Sequence, residues 1–160
     1  MDRGDVEPAE TLDGEIGVEE DVRRAAVIDV DAGTQHDIEA RLDAAREAIG
    51  RHFHVTIGER EGVNFLRYGV GGFYLPHVDR ADVAAWPAAA RRRIAVVLFL
   101  NTSTPVPGPG EFAGGELHVI DARVDVEPLA GRLAAFDAGL LHEVLPVRHG
   151  TRDVIVDWFY

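Results

Sequence analysis

The stretch "YGVGGFYLPHVDR" (residues 68–80) opens on glycine and apolar residues and ends on a histidine and an aspartate two positions apart. Side chains at i and i+2 of an extended chain point to one face, so His77 and Asp79 can address a single point. An imidazole and a carboxylate there suit a borderline divalent metal. That reading needs an extended segment inside a β-rich domain, and the flanking sequence supplies one.

Working outward from this stretch, "VRRAAVIDVDA" (residues 22–32) reads as a strand stopped by Gly33. "TQHDIEARLDAAREAIG" (residues 34–50) reads as the one convincing helix. Thr34 would be its N-cap, Ile38, Leu42, Ala45 and Ile49 its apolar stripe, and Gly50 its close. Beyond it come short β-rich runs divided by glycine, proline and asparagine. Strands are expected over residues 52–57, 63–68, the region of His77, 94–100, 116–120, 124–127, 132–136, 141–147 and 153–159. One packing helix followed by eight or nine short strands predicts a mainly β chain, a double-sheet sandwich or jelly roll. The irregular stretches 79–93 and 101–115 are expected to wall a binding site, because long connections are more often functional than idle.

A chain of 160 residues is one domain's worth of core. There are no cysteines, which excludes disulfides, thiolate metal sites and a cysteine nucleophile. The longest apolar run, "IAVVLFL" (residues 94–100), has strand length, so no membrane span is expected. The N-terminus lacks a secretory h-region, and a cytoplasmic location is the default expectation. Of the net charge of −12, residues 1–21 carry −8, so this segment is expected to be acidic and mobile, ahead of a domain over residues 22–160. The remaining −4 offers no basic face, and a nucleic-acid partner is not expected.

The third metal ligand is sought among the other histidines. His36, His52, His54, His118 and His149 read as structural: helix turn, early strand, mid-strand and turn positions. His142 differs, because "AFDAGLLHEVLPVRHGTRDVIVDWF" (residues 135–159) reads as a hairpin with its tip near residues 146–150. A tip at Val147 places His142 opposite Arg152, with Cβ atoms about 5 Å apart, and a tip at Arg148 places it opposite Val154. Either way the hairpin offers an imidazole and a cation to one cavity. Two histidines and a carboxylate on one side of a metal form the facial triad of non-haem Fe(II) oxygenases.

Together "YGVGGFYLPHVD", "GGEL" and "HEVLPVRHGTR" resemble the prolyl 4-hydroxylase-like branch of the Fe(II)/2-oxoglutarate-dependent dioxygenases, over about residues 64–159. The resemblance implies a double-stranded β-helix, a distorted jelly roll. It implies His77, Asp79 and His142 as iron ligands, Arg152 on the distal carboxylate of 2-oxoglutarate, and Tyr68 lining the co-substrate pocket. It also implies O₂ as co-substrate and hydroxylation of an aliphatic C–H with release of succinate and CO₂. Phe99 stands where many relatives carry a tyrosine, which either weakens co-substrate binding or passes the task to Tyr68. Asp79 argues against a halogenase, and "RDVIVDWFY" lacks the residues of the nucleic-acid-demethylating branch.

The substrate is expected to be a small molecule or a prolyl or other residue of a peptide, with Trp86 and Trp158 as candidate contacts. The alternative is a non-catalytic, cupin-like module that binds a metal or ligand. Arg91, Arg92 and Arg93 read as a solvated charge run, and Gly114 and Gly115 as a tight entry to a strand.

Overall fold

β-Branched and aromatic residues at alternate positions build the long strands and decide which side chains meet. The computed structural model describes residues 6–8, 21–82, 84 and 86–160. Its larger sheet contains β1 (Val6–Pro8), β2 (Ala26–Ile28), β3 (Asn64–Tyr68), β5 (Ile94–Phe99), β9 (Leu133–Asp137) and β12 (Arg152–Phe159). The order is β1-β2-β3-β12-β5-β9, antiparallel throughout. The smaller sheet contains β4 (Tyr74–His77), β7 (Leu117–Val119), β8 (Val124–Val126) and β10 (His142–Val144), in the order β4-β10-β7-β8. A two-stranded ribbon pairs β6 (Ala113–Gly114) with β11 (Val147–His149). The result is a mainly β double-stranded β-helix.

β12 shows the alternation. Val154 packs with Tyr68, Ala95, Phe99, Leu117 and Val144 in the core between the sheets. Phe159 packs with Ile94, Leu42 and Ile49 beneath the helix α1 (Ala32–Phe53). Phe99 and Phe159 are fully buried, each worth about 1.5–3 kcal/mol of apolar transfer.

The helix departs from expectation at both ends. Its N-cap is Asp31, whose carboxylate accepts from the Thr34 N–H at 3.0 Å and hydroxyl at 2.7 Å. Asp31 belonged to the strand expected over residues 22–32, of which only Ala26–Ile28 joins a ladder. At the far end the helix runs through Gly50 to a left-handed His54 at φ 55°. Gly50 is needed because a Cβ there would lie 2.9 Å from the Val55 carbonyl oxygen as the chain turns back. His52 and His54 therefore end a helix, and the strand expected over residues 52–57 is absent.

The hairpin expected over residues 135–159 does not form either. β10 pairs with β4 and β7, whereas β12 pairs with β3 and β5. β11 intervenes and pairs with β6. His142 and Arg152 thus lie on opposite sheets, and Tyr68 is the residue opposite Arg152. Of the N-terminal segment expected to be mobile, residues 1–5 and 9–20 lie outside the described residues, while Val6–Pro8 pairs with β2. No helix among the described residues is long and apolar enough to cross a membrane.

Candidate metal centre

His77 and His142 are direct partners in the β4–β10 ladder, with ring centroids 4.1 Å apart. Each Nδ1 lies against the carbonyl oxygen two residues upstream, at 2.8 Å to Leu75 and 2.9 Å to Leu140. With Nδ1–H donating there, each Nε2 presents its lone pair, the arrangement that orients metal-binding histidines. Tyr74 stacks on His77 at 3.4 Å and Phe136 meets His142 edge-on at 4.8 Å, which fixes both rings. Burial holds the His77 pKa down to about 3, with the neighbouring His142 adding to the shift and Asp79 opposing it. A neutral imidazole is the form that binds a metal.

Asp79 lies just beyond β4. Its Oδ1 is 3.6 Å from His77 Nε2 and its Oδ2 is 3.5 Å from His142 Nε2. These separations suit donors about 2.0–2.2 Å from one shared divalent cation. The three donor atoms lie within 4.8 Å of one another, and no other such group occurs among the described residues. All three side chains are buried. Two neutral imidazoles and one carboxylate can hold a divalent ion and leave coordination positions for other ligands.

The triad lines a cavity of about 220 Å³ between the two sheets. Its walls are mainly apolar, including Leu66, Leu117, Val144 and Val156, and Arg152 and Tyr68 also line it. Arg152 is 1% exposed, and its Nε and Nη1 have no hydrogen-bond partner among the described residues. Burial pushes its pKa down, while Tyr68 partly restores it by charge and by a hydrogen bond. The guanidinium lies 4.9 Å from the Tyr68 ring and 5.4 Å from the Phe99 ring. Orphaned donors on a buried cation are costly unless an anion meets them. A dicarboxylate that chelates a metal at the triad with one end fits this donor set, because its other carboxylate supplies that anion.

The expected site residues His77, Asp79, His142, Arg152, Tyr68, Trp86 and Trp158 all meet at this cavity. Residues 101–115 do not line it, contrary to expectation. That stretch folds behind Arg152 instead: a Cβ on Gly115 would lie 2.8 Å from the Arg152 Cδ, and Gly115 has φ 64°. The charge run is also split. Arg91 and Arg93 are exposed, but Arg92 is 2% exposed and lines the cavity with Arg23 and Tyr74. Nothing local marks the middle arginine, because its partner Glu61 lies 31 residues away.

Residues 63–160 match the family model of the 2OG-Fe(II) oxygenase superfamily. A PKHD-type hydroxylase of Prochlorococcus marinus is 32% identical over 113 residues, covering 69% of this chain and 43% of the relative. A PKHD-type hydroxylase of Maricaulis maris is 26% identical over 139 residues, covering 81% of this chain and 59% of the relative. The chain thus spans about half the length of these curated relatives. A prolyl-4-hydroxylase of Pseudomonas putida superposes with a TM-score of 0.69 at 29% identity, covering 96% of this chain and 76% of that one. With the family match covering more than half of the chain, from the start of β3 onward and including all three triad residues, this chain belongs to the 2OG-Fe(II) oxygenase superfamily.

Proposed function

We propose that the protein is an Fe(II)- and 2-oxoglutarate-dependent hydroxylase. His77, Asp79 and His142 hold the metal, and Arg152, assisted by Tyr68, holds the distal carboxylate of 2-oxoglutarate. The observation that carries this reading is Arg152: a fully buried cation with two orphaned nitrogens, in the cavity that the triad lines. When bound, Fe(II) couples the oxidation of 2-oxoglutarate by O₂ to succinate and CO₂ with insertion of the second oxygen atom into a substrate C–H bond.

The chain's own residues supply the setting. The carbonyl oxygens of Leu75 and Leu140 hold the two Nδ1 atoms and so aim each Nε2 inward. The apolar wall excludes water, which strengthens the pairing of Arg152 with a carboxylate. Phe99 offers no hydroxyl, so Tyr68 carries the hydrogen bond beside Arg152. Trp86 and Trp158, on the cavity wall, contact the substrate in this reading. A cavity of about 220 Å³ is below the ~300–1,000 Å³ usual for whole drug-sized ligands. Beside 2-oxoglutarate it suits a side chain or a small ring. That favours a prolyl or other residue, or a comparably small free molecule, and the relation to the P. putida prolyl-4-hydroxylase supports the former.

The test is anaerobic addition of Fe(II) and 2-oxoglutarate, followed by the weak visible charge-transfer band of the chelate. Wild type is expected to show the band, and His142→Ala and Asp79→Ala to lose both the band and succinate formation. A folded wild-type protein without the band would overturn the proposal in favour of a non-catalytic binding module. Succinate release driven by a proline-containing peptide, compared with free proline, then separates the two substrate classes.

A further inference from the structure

The two histidine ligands sit in a β-ladder, but Asp79 does not. Its N–H donates to the Ala138 carbonyl at 3.0 Å, and its own carbonyl oxygen accepts from Arg92 Nη1 at 3.1 Å. Among the described residues, no strand lies between Asp79 and the short 3-10 turn Pro87–Arg91. Arg92 is itself immobilised. Its Nε and Nη2 donate to the two carboxylate oxygens of Glu61, both at 2.6 Å, a planar bidentate pair. Its guanidinium lies 3.7 Å from the Trp158 ring and 5.3 Å from the Trp86 ring. Glu61 is anchored in turn, because its N–H donates to the Trp158 carbonyl at 2.9 Å. A chain of contacts thus runs from β12 through Glu61 and Arg92 to the backbone of Asp79.

We infer that the Glu61–Arg92 pair is a positioning device for Asp79, holding its backbone so that the carboxylate meets the point addressed by both histidines. The inference rests on the metal reading above and adds two residues that touch neither metal nor co-substrate. A bidentate arginine suits the task because one rigid group binds a carboxylate on one edge and a carbonyl on another. Lysine has all its donors on one nitrogen and cannot reproduce the bidentate pair while reaching the carbonyl from another edge. Trp86 and Trp158 then have a second role beyond lining the cavity, since they cover the two-residue clamp and keep it dry.

The test measures the metal site without turnover: Co(II) binding under argon, followed by visible d–d absorption, with thermal unfolding of each metal-free variant. Glu61→Gln and Arg92→Lys are expected to weaken Co(II) binding about 10- to 100-fold, the usual cost of losing a residue that orients a ligand. Leu42→Ala provides the comparison for general destabilisation. It removes buried packing beneath the helix, in the cluster with Ile49, Ile94 and Phe159 to which neither Glu61 nor Arg92 belongs, and it is expected to leave Co(II) affinity unchanged. Wild-type affinity in both Glu61→Gln and Arg92→Lys would overturn the clamp while leaving the metal reading intact. An equal loss in Leu42→Ala would also overturn it, by showing that any loosening of the fold suffices. Failure of wild type to bind Co(II) would sink the metal reading and the clamp together.

Discussion

Arg92 and Arg152 line the same cavity at 2% and 1% exposure, yet their surroundings are opposite. Arg92 is met on every side, by Glu61, the Asp79 carbonyl and two indoles. Arg152 has aromatic rings on its faces and no hydrogen-bond partner for Nε or Nη1 among the described residues. A buried cation whose partners are supplied by the chain is structure. One whose partners are withheld is what the proposed 2-oxoglutarate site needs, because a bound carboxylate would offset its cost to the fold. Depth of burial alone does not distinguish them; the accounting of donors does.

The contrast is sharpest in stability. Without metal or 2-oxoglutarate, Arg92→Met should lower unfolding free energy by about 3–5 kcal/mol, because it breaks an ion pair made by a buried guanidinium and takes the cation from a mostly covered Glu61. Arg152→Met should raise it by about 1–3 kcal/mol, because it removes buried, unsatisfied donors. Chemical denaturation of both variants checks the signs, and two changes of the same sign would break the comparison.

Binding comes next. Arg152→Met should weaken 2-oxoglutarate binding by about 2–5 kcal/mol, roughly thirtyfold to several thousandfold, as expected for truncating a buried charged partner. Calorimetry on Mn(II)-loaded protein reads this directly, and retained affinity would remove Arg152 from the site. The smallest effect belongs to Tyr68→Phe, expected to weaken the same binding by about 1 kcal/mol through one lost hydrogen bond. No change there would show that Tyr68 contributes ring contact alone and does not stand in for the hydroxyl missing at Phe99.

The strands whose residues alternate strongly were legible from sequence. Residues 94–100 and 153–159 were expected as strands and correspond to β5 and β12. The helix was legible too, but its limits were not. Asp31 could be recognised as a cap only by its contact with Thr34, and Gly50 proved to be a close approach inside the helix. Chain neighbourhood misled at residues 135–159, where adjacency suggested a hairpin and the jelly-roll crossover placed His142 and Arg152 on facing sheets. Both residues still reached one cavity, because that cavity lies between those sheets.

By itself, then, the sequence determined the donor types: His77 and Asp79 two residues apart, a later histidine, and a single arginine ten residues beyond it. These follow from residue identity and local spacing, which a linear chain carries openly. Tertiary structure alone decided that Arg92 leaves its exposed neighbours to join Glu61 and Asp79, and that Gly115 makes room for Arg152. It also decided which of the two arginines is left unsatisfied. Burial and hydrogen-bond satisfaction are set by partners far apart in the chain, so no local pattern announces them.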